Sequence, residues 1–563
     1  MHERLHSKEE RGHGSLQYQY DFVVIGSGFG GSVSALRLVE KGYRVAVIEQ
    51  GRRWTEADLP KSNWDLSKWI WRPSLGLHGF FGMRFFRHLV VLNGNAVGGG
   101  SITYANTLLV PPDHVWRQGS WAGLTDWEQV MPRHYATAKR MLGVTANRWM
   151  GAADLRLKEM ANAAGVEQSF YPTEVGVFFG KEYDAPGTEY PDPYFGGEGP
   201  SRTTCIGCGG CMVGCRFGAK NTLDKNYLYV AEKRGAELFA ETKAIDVRPL
   251  MQREDGSDGY EVETVSLAKG SRGQRRRSTC RGVVFAASSL GTQDLLLRLK
   301  EKKSLPRISE ALGRHVRTNA ESLIGIRFPG SKVDLSKGLA IGSGVYIDQH
   351  THIEATRYPD GSNAMALMAT VMTLGRPGWT RPFTWLAALS KMFLTRPYTT
   401  LRILLPFGWA RETMIFLCMQ TLDGHLTMKL KRQWFWPFTK HLATEGKGIP
   451  AFIPAANDFA VKAARATGGI PMTSLTEILL NIPMTAHCIG GAAMGHNRAD
   501  GVCDGRNRVF GYKNMYICDG SMCGSNLGVN PSLTITALTE HAMSHIPAAG
   551  EQKWDAIGEE TFP

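Results

Sequence analysis

Residues 21–25 read DFVVI, a short apolar run without polar alternation, which predicts a strand buried on both faces of a parallel sheet. GSGFGG at 26–31 ends the run, and SVSALRLVEKG at 32–42 then carries apolar residues at helical spacing. RVAVIE at 44–49 is a second apolar run, closed by Glu49. VVFAA at 283–287 repeats the strand pattern and leads into the helical SSLGTQDLLLRL. Between 376 and 411 the pattern changes. Cations at Arg376, Arg381, Lys391, Arg396, Arg402 and Arg411 alternate with Trp379, Phe383, Trp385, Phe393, Tyr398, Phe407 and Trp409, no acid occurs, and prolines predict short helical pieces. No run of eighteen or more apolar residues exists, so no transmembrane helix is predicted.

Composition narrows the classes. A chain of 563 residues exceeds one compact core and predicts two or more domains. With 43% hydrophobic and 21% charged residues it reads as globular. The first twenty residues lack the apolar core of a secretory signal, which predicts a polar tail over 1–17 and a cytoplasmic protein. The net charge of +13 raises nucleic acid or an anionic membrane surface as partners. No nucleic-acid motif accompanies it, and Arg275, Arg276 and Arg277 sit in a Gly-containing polar stretch that reads as a solvated hairpin tip.

The strand–glycine–helix–strand unit carries chemistry. Gly26, Gly28 and Gly31 permit a tight turn, close approach to a pyrophosphate and close helix–strand packing. The helix N-terminus offers N–H groups to phosphates. Glu49 lies about 20 residues on, where an acid binds a ribose hydroxyl. A second glycine stretch, NGNAVGGGSITYAN at 93–106, places Gly98, Gly99 and Gly100 in succession, so backbone can lie against a flat ligand with no Cβ in the way.

Here, and again in the block TAHCIGG…GVNPSLTITALTEHA at 485–542, the chain resembles the glucose–methanol–choline (GMC) flavoprotein oxidoreductases. The stretches CMVGCRFGAKNTL and MQTLDGHLTMKL give the best likeness to the cholesterol oxidase-like bacterial branch of that family. The resemblance implies FAD as cofactor, contacted by the fingerprint, by Gly98, Gly99, Gly100, Ser101 and Asn106, and by Asp519 and Gly520. It implies an α/β fold: a doubly wound, Rossmann-like FAD-binding domain from 18–110, 200–305 and 484–550, and an α+β substrate-binding domain with an antiparallel sheet from 111–199 and 306–483.

Alcohol oxidation by a flavin requires a hydride to leave carbon and a proton to leave oxygen. A histidine titrates in the right range to take that proton, and an amide can hold the alcohol oxygen. His487 and Asn530 match the family's pair, His487 as base and Asn530 as positioning group. Glu321, near Asn319, is a poorer candidate for a second acid/base and reads better as a surface or FAD-proximal structural residue.

Cys205, Cys208, Cys211 and Cys215 follow the C-x2-C-x2-C-x3-C spacing of bacterial ferredoxins. Arg216 stands where ferredoxins have Pro, and a single [4Fe–4S] or [3Fe–4S] cluster, zinc, or four reduced packing cysteines stay open. The other six cysteines read as small buried hydrophobes.

The basic, aromatic insert at 376–411 and a second aromatic stretch at 64–86 suit a surface that enters a membrane headgroup region, so peripheral membrane contact is expected. The reading that follows is an FAD-dependent oxidoreductase of a lipophilic secondary alcohol, with a 3-hydroxysteroid such as cholesterol first, and dioxygen, a quinone or a redox protein as acceptor. The alternatives are an iron–sulfur flavin dehydrogenase of a sugar or long-chain alcohol, and an electron-transfer subunit without its own substrate.

Overall fold

The computed structural model describes residues 17–251, 253–373, 380–433 and 436–558. The tail expected over 1–17 lies almost wholly outside these residues, as do Arg376 and Trp379 of the insert.

Five strands form a parallel core in the order Glu237–Phe239, Val45–Ile48, Tyr20–Ile25, Arg275–Phe285, Met515–Ile517. The run at 20–25 is almost entirely buried, as its lack of alternation predicts. Arg275–Phe285 has two jobs. Its second half pairs in parallel with Tyr20–Ile25, while its first half pairs antiparallel with Tyr260–Ser266, which extends the sheet through Thr242–Pro249. Arg275 and Arg277 therefore begin a strand and do not form a hairpin tip. They reach across the ladder to Glu263 and Glu261, an opposite-charge pairing that fixes the register.

The helix Phe29–Glu40 follows the first strand and is buried along its length. The C-terminal helix Ser532–Ser544 packs on it, and the strand Met515–Ile517 joins the same sheet. The far C-terminal block thus folds directly onto the N-terminal unit. Helix Trp127–Met141 shares this core through Trp127, Met131 and Tyr135.

The second sheet is antiparallel throughout, in the order Ala369–Val371, Ile470–Ser474, Ser322–Arg327, Thr413–Gln420, Thr351–Thr356, Ile341–Tyr346, Tyr171–Pro172. Helices Ala152–Ala163 and Pro454–Thr467 cover one face, and Ile324, Ile326, Ile353, Ala355 and Phe416 bury against them. Each such side chain contributes about 1.5–3 kcal/mol when fully buried. Strand side chains alternate, so Leu323, Glu354, Leu417 and Met419 point to the opposite face. A carboxylate thus stands among apolar neighbours on the face turned away from the helices.

The aromatic stretch at 64–86 departs from its expected membrane role. Trp69, Phe80 and Phe81 are buried in a core cluster with Trp54 and Trp409, and Trp69 stacks on Phe81. Its exposed large apolar residues are Trp64, Leu66, Leu75 and Phe85. The insert behaves differently: helices Arg381–Thr395 and Pro397–Leu404 dock one face on the sheet through Trp385, Leu389, Met392 and Ile403 and leave the other face exposed.

Candidate active site

The two glycine loops close on each other. Gly98 adopts φ +91° and donates its N–H to Ser27 Oγ at 3.0 Å. A Cβ on Gly99 would lie 2.6 Å from the Gly28 Cα, so this contact requires glycine. Gly26 and Gly31 serve packing: a Cβ would meet the Ala286 carbonyl oxygen at 2.2 Å or the Gly26 carbonyl oxygen at 1.9 Å. Gly28 and Gly100 differ, because a Cβ on either would meet nothing within 4 Å. Bare backbone therefore faces open space at these two glycines, beside the N-terminus of helix Phe29–Glu40. This fits a flat anionic ligand such as FAD.

Glu49 sits at the end of its strand, and one carboxylate oxygen accepts from the Ser27 N–H and hydroxyl at 3.1 and 2.8 Å, the other from the Gly51 N–H at 2.8 Å. Burial pushes its carboxyl up, against these hydrogen bonds. Asp519 begins the turn Gly520–Met522, accepts from the Ser521 N–H at 2.8 Å and takes a hydrogen bond from Thr292. Gly520 accepts at its carbonyl from the Gly490 N–H at 2.8 Å, beside His487 in the chain. Ser101 Oγ accepts from the Leu223 N–H and donates to the Gly98 carbonyl, locking the second loop. Asn106 turns elsewhere: its amide donates to Cys211 Sγ at 3.1 Å.

One residue missed at the sequence level is Gly30. A Cβ there would meet the Cys518 carbonyl oxygen at 1.8 Å, so this glycine lets the fingerprint helix seat against the C-terminal block.

His487 faces a carboxylate. Its Nδ1 lies 3.1 Å from Glu321 Oε2, at ion-pair distance but off the line of a good hydrogen bond. Glu321 is fully buried, which removes the surface half of the surface or FAD-proximal role expected for it, and the Thr485 hydroxyl and the Ala486 N–H donate to it. Burial alone would lower the His487 pKa. The Glu321 carboxylate outweighs it, with help from Glu354, and the pKa rises above the ordinary value.

Asn530 donates its amide to Glu354 Oε2 at 3.1 Å, and Asn530 Oδ1 and Glu354 Oε1 are left buried without a partner. Burial drives the Glu354 carboxyl up to about 7, with Glu321 adding to the rise and Asn530 and His487 opposing it. Sequence reading missed Glu354. THIEAT gives no motif, and only the strand alternation that aims this residue away from the helices could have signalled it. Asn319, in the left-handed region at φ +58°, clamps the loop before Asn530. Its Oδ1 accepts from the Leu527 and Gly528 N–H groups, and its amide donates to the Val529 carbonyl at 2.8 Å.

The arrangement thus brings together His487 with Glu321 and Asn530 with Glu354, bordered by Leu323, Leu417 and Met419. Two buried carboxylates beside an imidazole, one of them pushed up to about 7, can exchange protons near neutral pH. The four cysteines at 205–215 stand apart from these pairs and line a cavity of their own. Among the described residues no three His, Cys, Asp or Glu donors converge as around a single metal ion.

Comparisons with known proteins agree with this geometry. Residues 453–539 match the model of the GMC oxidoreductase family, and residues 24–89 match an NAD(P)-binding Rossmann-like domain. The chain is 60% identical over 531 residues to a cholesterol oxidase of Acinetobacter baumannii, covering 94% of this chain and 95% of that one. It is 43% identical over 545 residues to a cholesterol oxidase of Mycobacterium tuberculosis, covering 95% and 92%. Among solved structures it resembles the pyridoxine 4-oxidase of Mesorbium loti with a TM-score of 0.58 at 14% identity, over 93% of this chain and 98% of that one.

Proposed function

The chain belongs to the GMC oxidoreductases and is an FAD-dependent alcohol oxidoreductase, and we propose that its substrate is a 3-hydroxysteroid of the cholesterol type, with dioxygen as acceptor. The observation that carries the substrate class is the wall of the second sheet, where Glu354 pairs across the ladder with Leu417 on the face that also carries Leu323 and Met419. Such a wall offers a rigid apolar body dispersion contacts and presents few polar groups to it. A sugar would leave its hydroxyls unpaired there. The names borne by the relatives favour the same choice over a sugar dehydrogenase or an electron-transfer subunit.

FAD, when bound, would supply the acceptor for the hydride that leaves the carbinol carbon. In this reading Gly26, Gly28, Gly31, Glu49, Gly98, Gly99, Gly100, Ser101, Asp519 and Gly520 would hold it, while Asn106 acts through the loop at 205–215. The chain's own residues manage the proton. His487 is the base for the hydroxyl, and Glu321 stabilises the imidazolium that forms. Asn530 holds the substrate oxygen through its unpartnered Oδ1 side or its amide, while Glu354 fixes the orientation of that amide. Glu354, its carboxyl pushed up to about 7 by burial, is placed to relay the proton that the hydroxyl loses.

Membrane contact belongs to the same reading, because a sterol is drawn from a bilayer. No helix among the described residues is long and apolar enough to cross a membrane. The exposed face of helices Arg381–Thr395 and Pro397–Leu404, with Leu386, Phe393, Leu394, Tyr398 and Leu401, is the surface we assign to it.

The test is anaerobic mixing of the flavin-loaded protein with a panel of sterols, sugars and aliphatic alcohols. A 3-hydroxysteroid is expected to bleach the flavin, air to restore it with formation of peroxide, and His487→Ala to abolish the bleaching. Bleaching by sugars with none by sterols overturns the substrate reading.

A further inference from the structure

We propose that Cys205, Cys208, Cys211 and Cys215 hold one iron–sulfur cluster in a chamber beside the glycine loop at 98–101. The proposal is independent of the substrate reading. Three observations lead to it.

The first is convergence. Spacing alone does not show whether the fourth cysteine serves the same cluster as the first three, because in two-cluster ferredoxins it does not. Here all four line one cavity, together with Val177, Phe217 and Ala219. The turn at Cys211–Val213 and left-handed backbone at Gly207, Gly209, Gly214 and Cys215 wrap the loop around that cavity. A cysteine at φ +66° is strained, and strain of this kind persists where the surroundings enforce it. All four are free thiols, so no disulfide accounts for the loop.

The second is the set of donors aimed at sulfur. The Gly207 N–H points at Cys205 Sγ at 3.4 Å, the Lys220 N–H at Cys215 Sγ at 3.4 Å, and the Asn106 amide at Cys211 Sγ at 3.1 Å. Thiols are weak acceptors, whereas cluster-bound thiolates gain from such bonds, which also tune a cluster's potential.

The third is a buried cation. Lys220 is 1% exposed and is one of the residues that line the same cavity. Backbone carbonyls of Ile102, Tyr104 and Cys211 hold it at 2.8, 3.3 and 2.7 Å, and among the described residues no carboxylate forms a salt bridge with it. A buried charge without a counter-charge is costly. A thiolate-ligated cluster is anionic and supplies the missing counter-charge.

The full-length, flavin-loaded protein purified without air tests this directly. Iron and acid-labile sulfide are expected at about three to four of each per chain, with a low-temperature electron paramagnetic resonance signal that changes on reduction by dithionite. Cys208→Ser and Cys215→Ser are expected to lose iron and sulfide while retaining flavin, and Cys280→Ser, in the first sheet, to retain both. Background iron and sulfide in the wild type, including after reconstitution with ferrous iron and sulfide, overturn the proposal. So does stoichiometric zinc, or unchanged iron content in Cys208→Ser. The wild-type metal and sulfide content decides even where a variant fails to fold.

Discussion

At the residue scale, with His487 as the proposed base, its pairing with Glu321 is expected to set the acid side of the pH profile. A histidine acts as base only when neutral, so activity rises with pH through its pKa. That pKa stands above the ordinary value because the Glu321 carboxylate overcomes the effect of burial. Glu321→Gln keeps the shape and the bonds to Thr485 and removes the charge. The histidine pKa then falls, so the acid limb of kcat/KM moves to lower pH. The plateau falls by about 100-fold, because the imidazolium formed with proton transfer loses its counter-charge. A pH profile of the variant checks both, and a limb that stays in place removes Glu321 from the pair. The sequence singles out His487 and Asn530 because a signature surrounds them, and Glu321 only as a poorer candidate. It does not single out Glu354, since nothing in a single sequence marks a glutamate as buried. The roles of both glutamates come from strand alternation and from donors that lie 164 and 176 residues away in the chain.

At the scale of elements, legibility depends on whether a pattern is local. The strand–glycine–helix–strand unit is fixed by contiguous residues, and it forms as its periodicity predicts. Aromatic content is a poorer guide, because it gives area without saying which way the area faces. The stretch at 64–86 turns its rings into a core, while the insert turns much of its apolar area outward. The hairpin of helices Arg381–Thr395 and Pro397–Leu404 exposes Leu394 at 82% and Tyr398 at 73%, next to exposed Lys391 and Arg396. Leu394→Asp combined with Tyr398→Asp places two acids where the headgroups would sit. Binding to vesicles of mixed phosphatidylcholine and phosphatidylserine is expected to fall at least about tenfold, while turnover of a detergent-dispersed sterol stays within twofold. Co-sedimentation measures the first and a peroxide assay the second. Equal vesicle binding by variant and wild type would show that this face is not the membrane contact.

At the scale of the whole molecule, the two chain ends must stay docked for the site to exist, and a buried ion network holds them. Arg37, on the fingerprint helix, forms a two-pronged bond to Glu540 at 2.8 and 2.9 Å, and Glu540 lies on the helix that begins just after Asn530. Tyr227 also donates to Glu540, and Glu40 bridges Arg37 to Arg234. Neither partner of the Arg37–Glu540 pair is exposed by more than a few per cent, so water cannot replace a lost partner. Glu540→Ala therefore leaves a guanidinium half-compensated by Glu40 alone, and breaking such a pair costs about 3–5 kcal/mol. The lower end is expected here because Glu40 remains. The loss falls on the contact between the fingerprint helix and the helix after Asn530, so flavin release and the loss of alcohol turnover should coincide on heating. Flavin fluorescence and residual activity, followed together, test this coincidence. The double variant Arg37→Met, Glu540→Leu removes both charges at similar volume and is expected to recover most of the lost midpoint, because an apolar pair carries no desolvation penalty. If the double variant were as unstable as Glu540→Ala, packing or the Tyr227 bond would carry the contact, and the ion pair would not be what joins the two ends.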